Sequence, residues 1–490
     1  MAGIAGLLNY SREVKKEIDL MLDKVKHRGS DTKEIYKNNI FRGGVIAQNI
    51  GLDRGNGFAQ KGNLTVFFDG EIYNTRNQGQ SDADVVIELF EKYGPGFPGY
   101  CRGVFACAVW DGKELFLTRG PVGVRPLFYG ITEDGAFAFA SEMKALVGIV
   151  NEIEELKPNT VFSSENGIRG YIVHYPEITV PSSPEKAAEK LRELLFAAVK
   201  RRMEDGAVGG MLLSGGLDSS IIAAIVNELK PGMPAYTVGL KNGNAPDIEN
   251  ASLMAEHLNV ELKQYLFTAD EIAAMVPEAV WKLESFDEDC ISGAISNLNA
   301  SAFAAADTHC IFSGEGGDEL FGGYHLLKDL PAEYDRLKMM HKLVEIAYNT
   351  AVQRLDRGMF GNSLNYRTPF IDSEVIAFAL QVPVQWKIRK NGNGGLIEKW
   401  ILREAFRDLL PEKIYKRVKL RFSAGTGTDT VMDEIAAAKG YNQKFKENDR
   451  TTPGGYCLNS PKELWYYEIF KEKFPHLHFE KMVGRWDPNK

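Results

Sequence analysis

The stretch Met211-Leu212-Leu213-Ser214-Gly215-Gly216-Leu217-Asp218-Ser219-Ser220-Ile221-Ile222 constrains the fold more than any other in the chain. An apolar run, Val208 to Leu213, predicts a buried parallel strand. It stops at Ser214-Gly215-Gly216, and an apolar helix is expected to begin near Ser219 and to run through Ile222, Ala223 and Val226. Strand, glycine-rich turn and helix, in that order, aim backbone N–H groups and a helix N-terminus at an anion. Gly215 and Gly216 let the main chain approach phosphate oxygens with no Cβ in the way. Ser214 and Ser219 add hydroxyl donors. Asp218 would repel phosphate unless a divalent cation lay between them, which points to Mg²⁺. A plain strand–turn–helix connection explains the glycine pair but not two serines and an aspartate converging on one turn. No Gly-Lys-Ser/Thr follows, so this is not a Walker A loop.

A length of 490 residues predicts two or more domains. The net charge of −8 and the lack of any Lys/Arg-rich run argue against a nucleic-acid partner. The five cysteines, Cys101, Cys107, Cys290, Cys310 and Cys457, are scattered in no metal-ligand spacing. That pattern fits a reducing cytoplasm. No stretch approaches the length of a membrane span, and Ser11-Arg12-Glu13 interrupts the apolar N-terminus too early for a signal peptide.

Up to residue 170 the pattern is of short strands and turns. Strands are predicted at Gly3–Leu8, Gly44–Ile50, Leu64–Phe68, Val104–Trp110, Leu115–Arg119 and Ala136–Ala140, with helices at Glu17–Val25 and Asp82–Lys92. This reads as an α+β domain of face-to-face sheets. The proline-containing stretch His174–Pro184 reads as a linker. Beyond it come a long amphipathic helix, Glu185–Glu204, then strands at Ala235–Leu240 and Cys310–Phe312 alternating with helices. An open parallel sheet is expected there, with ligands beyond the strand C-termini.

The Ser-Gly-Gly-Leu-Asp-Ser-Ser string resembles the pyrophosphate loop of ATP pyrophosphatases. Further motifs extend the resemblance over nearly the whole chain. They are His27-Arg28-Gly29-Ser30-Asp31, Asp69-Gly70-Glu71-Ile72-Tyr73-Asn74, Ser81-Asp82, Gly123-Val124-Arg125-Pro126-Leu127 and Ser141-Glu142-Met143-Lys144-Ala145-Leu146 in the first half. In the second half they are Ser313-Gly314-Glu315-Gly316-Gly317-Asp318-Glu319-Leu320-Phe321-Gly322-Gly323-Tyr324, Arg367-Thr368-Pro369-Phe370-Ile371-Asp372 and Arg417-Val418-Lys419. Together they resemble the asparagine synthetase family of amidotransferases, which includes the β-lactam and carbapenam synthetases. The resemblance implies an α+β, Ntn-hydrolase-like glutaminase sandwich over 1–175 and an α/β synthetase domain over 185–490. The latter is of the adenine-nucleotide α-hydrolase-like (PP-loop) class. It implies ATP and Mg²⁺, a carboxylate activated as an acyl-adenylate, and an amine or ammonia as the attacking group.

The first half departs from the family where glutamine chemistry is expected. The family's nucleophile is a cysteine directly after the initiator methionine; here that residue is Ala2, which has no nucleophile. The family's carboxylate-gripping arginine is matched by Ile50, with Arg54 as a displaced substitute. Its oxyanion asparagine is matched by Asp69, a carboxylate that accepts rather than donates hydrogen bonds. Gly70, Glu71 and Asp82 do match. Replacement of one residue would explain Ala2 alone, so the sandwich is expected to be an inactive, structural domain. The alternative retained is a glutamine-hydrolysing asparagine synthetase whose cysteine has been replaced by Ala2.

In the second half the resemblance assigns Asp218 and Asp318 to Mg²⁺ and Lys419 to catalysis. It assigns Leu212, Ser214, Gly215, Gly216, Asp218, Ser219, Ser313, Gly314 and Glu315 to ATP and pyrophosphate. Gly317 and Gly322-Gly323 also read as ordinary turn residues. A Thr-Thr-Ile-Arg-Ala segment lines the aspartate side of the pocket in asparagine synthetases; here it is Asp289-Cys290-Ile291-Ser292-Gly293, without the arginine. The glutamate that serves the base system of β-lactam synthetases is replaced by Asn365, which takes no proton at neutral pH. The leading expectation is an AMP- and pyrophosphate-forming carboxylate–amine ligase using ammonia or a substrate amine. A nucleotide-binding assembly protein without turnover and a pyrophosphate-loop RNA-modifying enzyme are the competing expectations. Expected partners are a small-molecule carboxylate and an amine or ammonia, neither nucleic acid nor membrane, with a homodimer compatible.

Overall fold

The computed structural model describes residues 2–10, 15–48, 54–390, 392, 394–447 and 450–485. Two six-stranded sheets occupy the first 170 residues. One runs Glu152–Glu155, Phe128–Ile131, Phe137–Ala140, Ala2–Leu8, Phe41–Ala47, Thr32–Lys37. The other runs Gly167–Gly170, Thr160–Ser163, Leu115–Arg119, Gly103–Trp110, Leu64–Ile72, Phe58–Lys61. Every pairing in both sheets is antiparallel. Ile4, Val45, Phe67, Ala108, Leu117 and Phe139 share the core between them. The helix Asp82–Tyr93 covers the second sheet; Ser81 caps it and Asp84 returns the bond to the Ser81 N–H, a complete capping box.

Residues 171–183 carry no regular secondary structure, where the linker is predicted. The second half is built on a five-stranded, wholly parallel sheet. Its order is Leu262–Phe267, Ala235–Leu240, Gly210–Leu212, Cys310–Phe312, Asn365–Arg367. The strand predicted over Val208–Leu213 is shorter, Gly210–Leu212, and the helix after it begins at Leu217 rather than near Ser219, spanning Leu217–Leu229. Two strands of this sheet escape the sequence pattern. Asn365–Arg367 is three buried residues, Asn365 hydrogen-bonded, Tyr366 packed in the core and Arg367 ion-paired, and Leu262–Phe267 lies at the sheet edge, mostly half-exposed. Among the described residues no helix is long and apolar enough to cross a membrane.

Candidate active site

A cleft opens at the C-terminal ends of the central parallel strands. Leu212, Ser214, Gly216, Asp218 and Ser219 line it from the first loop, and Ser313, Gly314, Glu315 and Asp318 from the second. The Leu217–Leu229 helix starts at Gly216 with no side-chain cap, so its first-turn N–H groups are left for a ligand. The loop is held by its own serines: Ser214 Oγ lies 3.1 Å from Ser219 Oγ, and Ser219 Oγ donates to the Gly216 carbonyl at 3.2 Å. Gly215 has a packing task as well. It sits at φ +63° and does not line the cleft, and a Cβ there would collide with the Asn250 and Ala251 backbone of the Pro246–Leu258 helix. The missing side chain makes room for that helix.

The two predicted metal carboxylates converge, and a lysine that sequence reading missed stands between them. Lys399 Nζ lies 2.5 Å from Asp218 Oδ2 and 2.5 Å from Asp318 Oδ1. Lys419 Nζ reaches Asp318 Oδ2, also at 2.5 Å. Burial alone would raise the Asp318 pKa, but the two ammonium groups hold it below the usual carboxylate range. Asp218 is pushed up by burial, with Lys399 only partly opposing and Asp318 adding to the rise. Lys419 is held protonated by Asp318 and Asp218 against the effect of burial. Lys399 adopts a left-handed backbone, φ 54°, a conformation that costs free energy in a non-glycine residue and is typical of functional sites. Its only trace in the sequence is a lysine set among Leu396, Ile397, Trp400 and Ile401.

Glycines of the second motif clear the space for these charges. A Cβ at Gly317 would sit 2.7 Å from the Asp218 carboxylate, and one at Gly323 would overlap both Asp318 and Lys399. Gly322 takes φ +74° and ends the short Gly317–Phe321 helix. So Gly317 and Gly323 are more than turn residues. The Asp218 Oδ1 atom is buried without a hydrogen-bond partner. Two converging carboxylates, one with a free oxygen, fit Mg²⁺, which takes few protein carboxylates and completes its shell from phosphate and water. Among the described residues no group of three His, Cys, Asp or Glu has metal-site geometry.

The Lys419 segment is strapped down from three sides. Arg403 donates to the Tyr415 carbonyl and, at 3.0 Å, to that of Arg417. His325 Nε2 lies 2.8 Å from the Lys419 carbonyl. Arg417 donates to the Ser214 carbonyl at 3.0 Å and pairs with Asp247 at 2.5 Å, joining this segment to the first loop.

The far half of the cleft is lined by Asp289, Cys290 and Asn297 of the Glu288–Ala305 region and by Thr350, Arg354 and Leu355 beside and on the Ala351–Phe360 helix. Of the segment without the family's arginine, Asp289 and Cys290 reach the cleft, while Gly293 admits Arg354, whose Cδ lies 2.6 Å from where a Cβ would be. Arg354 contacts Glu315 at 3.4 Å, and its Nε is buried with no partner. Burial pushes the Asp289 carboxyl up to about 6, although Arg421 pairs with it. Asn365 does not line the cleft. It is buried between the halves, donating to Glu71 at 2.9 Å.

The residues matched to the family's glutamine site are buried and ion-paired. Ala2, Asp69, Glu71 and Asp82 are each at most 2% exposed. The Ala2 N–H donates to Asp69 Oδ1 at 3.0 Å, and Arg28 Nη2 donates to Asp69 Oδ2 at 2.8 Å. Glu71 is gripped by Arg367 at 2.9–3.0 Å; burial would raise its pKa, and Arg367 and Arg54 hold it well below the ordinary value. Arg54, the displaced substitute, is committed elsewhere: it pairs with Asp82 at 3.2 Å and with Asp205 of the second half at 2.6 Å. Gly70 takes φ +143° with Phe105 Cα 2.7 Å from a would-be Cβ, so the neighbouring strand explains this glycine. Ile50 lies outside the described residues.

A model of the asparagine synthase family matches residues 190–342 and 330–482, and a model of a glutamine amidotransferase domain matches residues 1–169. Asparagine synthetase B (glutamine-hydrolyzing) of Escherichia coli strain K12 is 30% identical over 96% of this chain and 91% of its own length. The asparagine synthetases (glutamine-hydrolyzing) of Zea mays and Gallus gallus are each 29% identical. The first match spans 87% of this chain and 77% of its own, the second 95% and 94%.

Proposed function

The chain belongs to the asparagine synthetase family, and from that premise we propose that its second half joins a carboxylate to ammonia or a substrate amine at the expense of ATP, while its first half does not hydrolyse glutamine. In the proposed reaction a carboxylate oxygen attacks the α-phosphorus of ATP and pyrophosphate leaves. The amine then attacks the acyl carbon, and AMP leaves as the amide forms. The uncapped N-terminus of the Leu217–Leu229 helix, with Ser214 and Ser219, suits the leaving pyrophosphate. Asp218 and Asp318 would hold Mg²⁺, which when bound supplies positive charge to the phosphates. Lys399 and Lys419, ion-paired at these carboxylates, would supply two ammonium groups to the negative charge that develops in both steps.

The observation that carries this reading is the convergence of Asp218, Asp318, Lys399 and Lys419 on one cleft from loops up to 201 residues apart in sequence (419 − 218). The glutaminase part rests on Ala2, which has no nucleophile, and on Asp69, whose two oxygens are occupied as acceptors. Incubating the protein with Mg·ATP, ammonium and a panel of carboxylic acids that includes L-aspartate tests it. AMP and pyrophosphate are expected, with no glutamate released from glutamine. ADP and phosphate as products would overturn the ligase reading; glutamate release would overturn the glutaminase reading.

A further inference from the structure

Between the two halves lies a closed group of charges. Arg28, Arg125, Lys144 and Arg357 meet Asp69, Glu142, Glu284 and Asp356, and each is at most 1% exposed. Arg28 is the hub: it donates to Asp69 at 2.8 Å, to Glu142 at 2.8 Å and to Asp356 at 2.7 Å. Arg125 donates to the other Asp356 oxygen at 2.9 Å, and Arg357 to Glu284 at 2.8 Å. Lys144 closes the ring at 3.1 Å from Glu284, with His27 at its rim, 3.0 Å from Glu142. Four cations face four anions. With a neutral residue at position 69 a buried cation would lack its counter-charge, a costly arrangement away from water.

Asp356, Arg357 and Phe360 of this group lie on the Ala351–Phe360 helix, and the Arg28 and Arg125 guanidinium carbons sit 4.5 and 4.4 Å from the centre of the Phe360 ring. The same helix presents Ala351, Arg354 and Leu355 to the cleft. One ten-residue helix therefore has one face in the charge group and another in the far half of the cleft. We propose that Asp69, acting through Arg28 and Asp356, is a positioning residue for the far half of the synthetase cleft, the half that the ligase reading gives to the carboxylate substrate. The position matched to a glutaminase oxyanion donor then serves the other half of the chain by fixing the 351–360 helix. This inference rests on the ligase reading for its substrate terms, but not for its structural ones.

The test uses the full chain carrying Asp69→Asn. Hydrogen exchange of amides 351–360 should rise at least tenfold while that of 217–229 stays unchanged. Labelling of Cys290 by a thiol reagent should rise, with buried Cys107 of the first half unchanged. With L-aspartate as carboxylate probe, its KM should rise at least fivefold with the Mg·ATP KM within twofold. Asp69→Glu should restore part of each change. Unaltered exchange at 351–360, an equal rise at 217–229, or both KM values moving together would overturn the proposal. If the parent protein releases no AMP from L-aspartate, that result bears on the reaction, and the exchange and labelling results decide this inference. If Asp69→Asn does not fold, Asp356→Asn approaches the same pair from the other half and is read by the same criteria.

Discussion

Lys399 shows how much a single residue is worth once its surroundings are known. It touches both carboxylates of the cleft, whereas Lys416, in the basic run beside Lys419, is exposed and pairs with Glu412 one turn away. Preorganised charge in a water-poor cleft acts where charge develops, and surface charge is screened. Lys399→Ala and Lys419→Ala are each expected to lower kcat by about a hundredfold or more, by analogy with loss of an oxyanion donor. Lys416→Ala should change kcat little, and steady-state AMP release checks all three. Asp289 carries a pH signature. With its folded pKa pushed up to about 6, above its ordinary 3.8, the native state binds more protons than the unfolded state between those values. The group therefore costs stability as pH rises through that window, by at most about 3 kcal/mol at two pKa units. Asp289→Asn cannot titrate, so its Tm relative to the parent should rise between pH 4 and pH 7; a constant difference across that range would count against the buried carboxyl.

At the scale of elements, the strand–turn–helix of the first loop and the Gly317–Phe321 turn work as a pair. The glycines of the second motif leave room for the first: a Cβ at Gly314 would lie 2.7 Å from the Ser219 backbone nitrogen, and Gly317 packs on Asp218. Gly317→Ala should therefore displace Asp218 and lower kcat at least about tenfold, a displacement of the order that costs catalytic alignment. Its thermal unfolding should shift by only a few degrees, because the added methyl group meets the Asp218 side chain rather than packed apolar side chains. Gly96→Ala, where a Cβ would meet nothing within 4 Å, is the matched control and should be neutral.

For the whole molecule, the two halves are joined by charge more than by apolar contact at the Asp69 and Glu71 positions. Arg367 sits between Glu71 and Asp205 with no exposed surface on its side chain. Arg367→Ala would leave two buried carboxylates without their shared cation and should destabilise the protein by about 3–5 kcal/mol, measurable by denaturant unfolding. The same joint argues that Ala2→Cys alone will not create a glutaminase, since Asp69 accepts from Arg28 and Ala2 and offers no donor to an oxyanion. Substantial glutamate release by Ala2→Cys would show that Asp69 and Ile50 are tolerated.

The local order of elements was legible from residues alone. Period and punctuation placed Leu115–Arg119, Ala235–Leu240 and Cys310–Phe312 at their observed bounds, because each is an apolar run closed by a turn. The Ser214 loop and the Asp318 motif were legible because glycine, serine and aspartate at fixed spacing have few other uses. Three features needed the folded chain. Lys399 acquires its meaning from two carboxylates 181 and 81 positions earlier, brought beside it by parallel strands that adjoin in space but not in sequence (399 − 218 and 399 − 318). Gly215 serves a helix it precedes by more than thirty residues. Asp69, read from sequence as a lost oxyanion donor, is one charge of a balanced buried group drawn from both halves. Periodicity reports which face of an element is apolar; it is silent on which buried charges will meet, because that pairing is decided by the packing of elements distant along the chain.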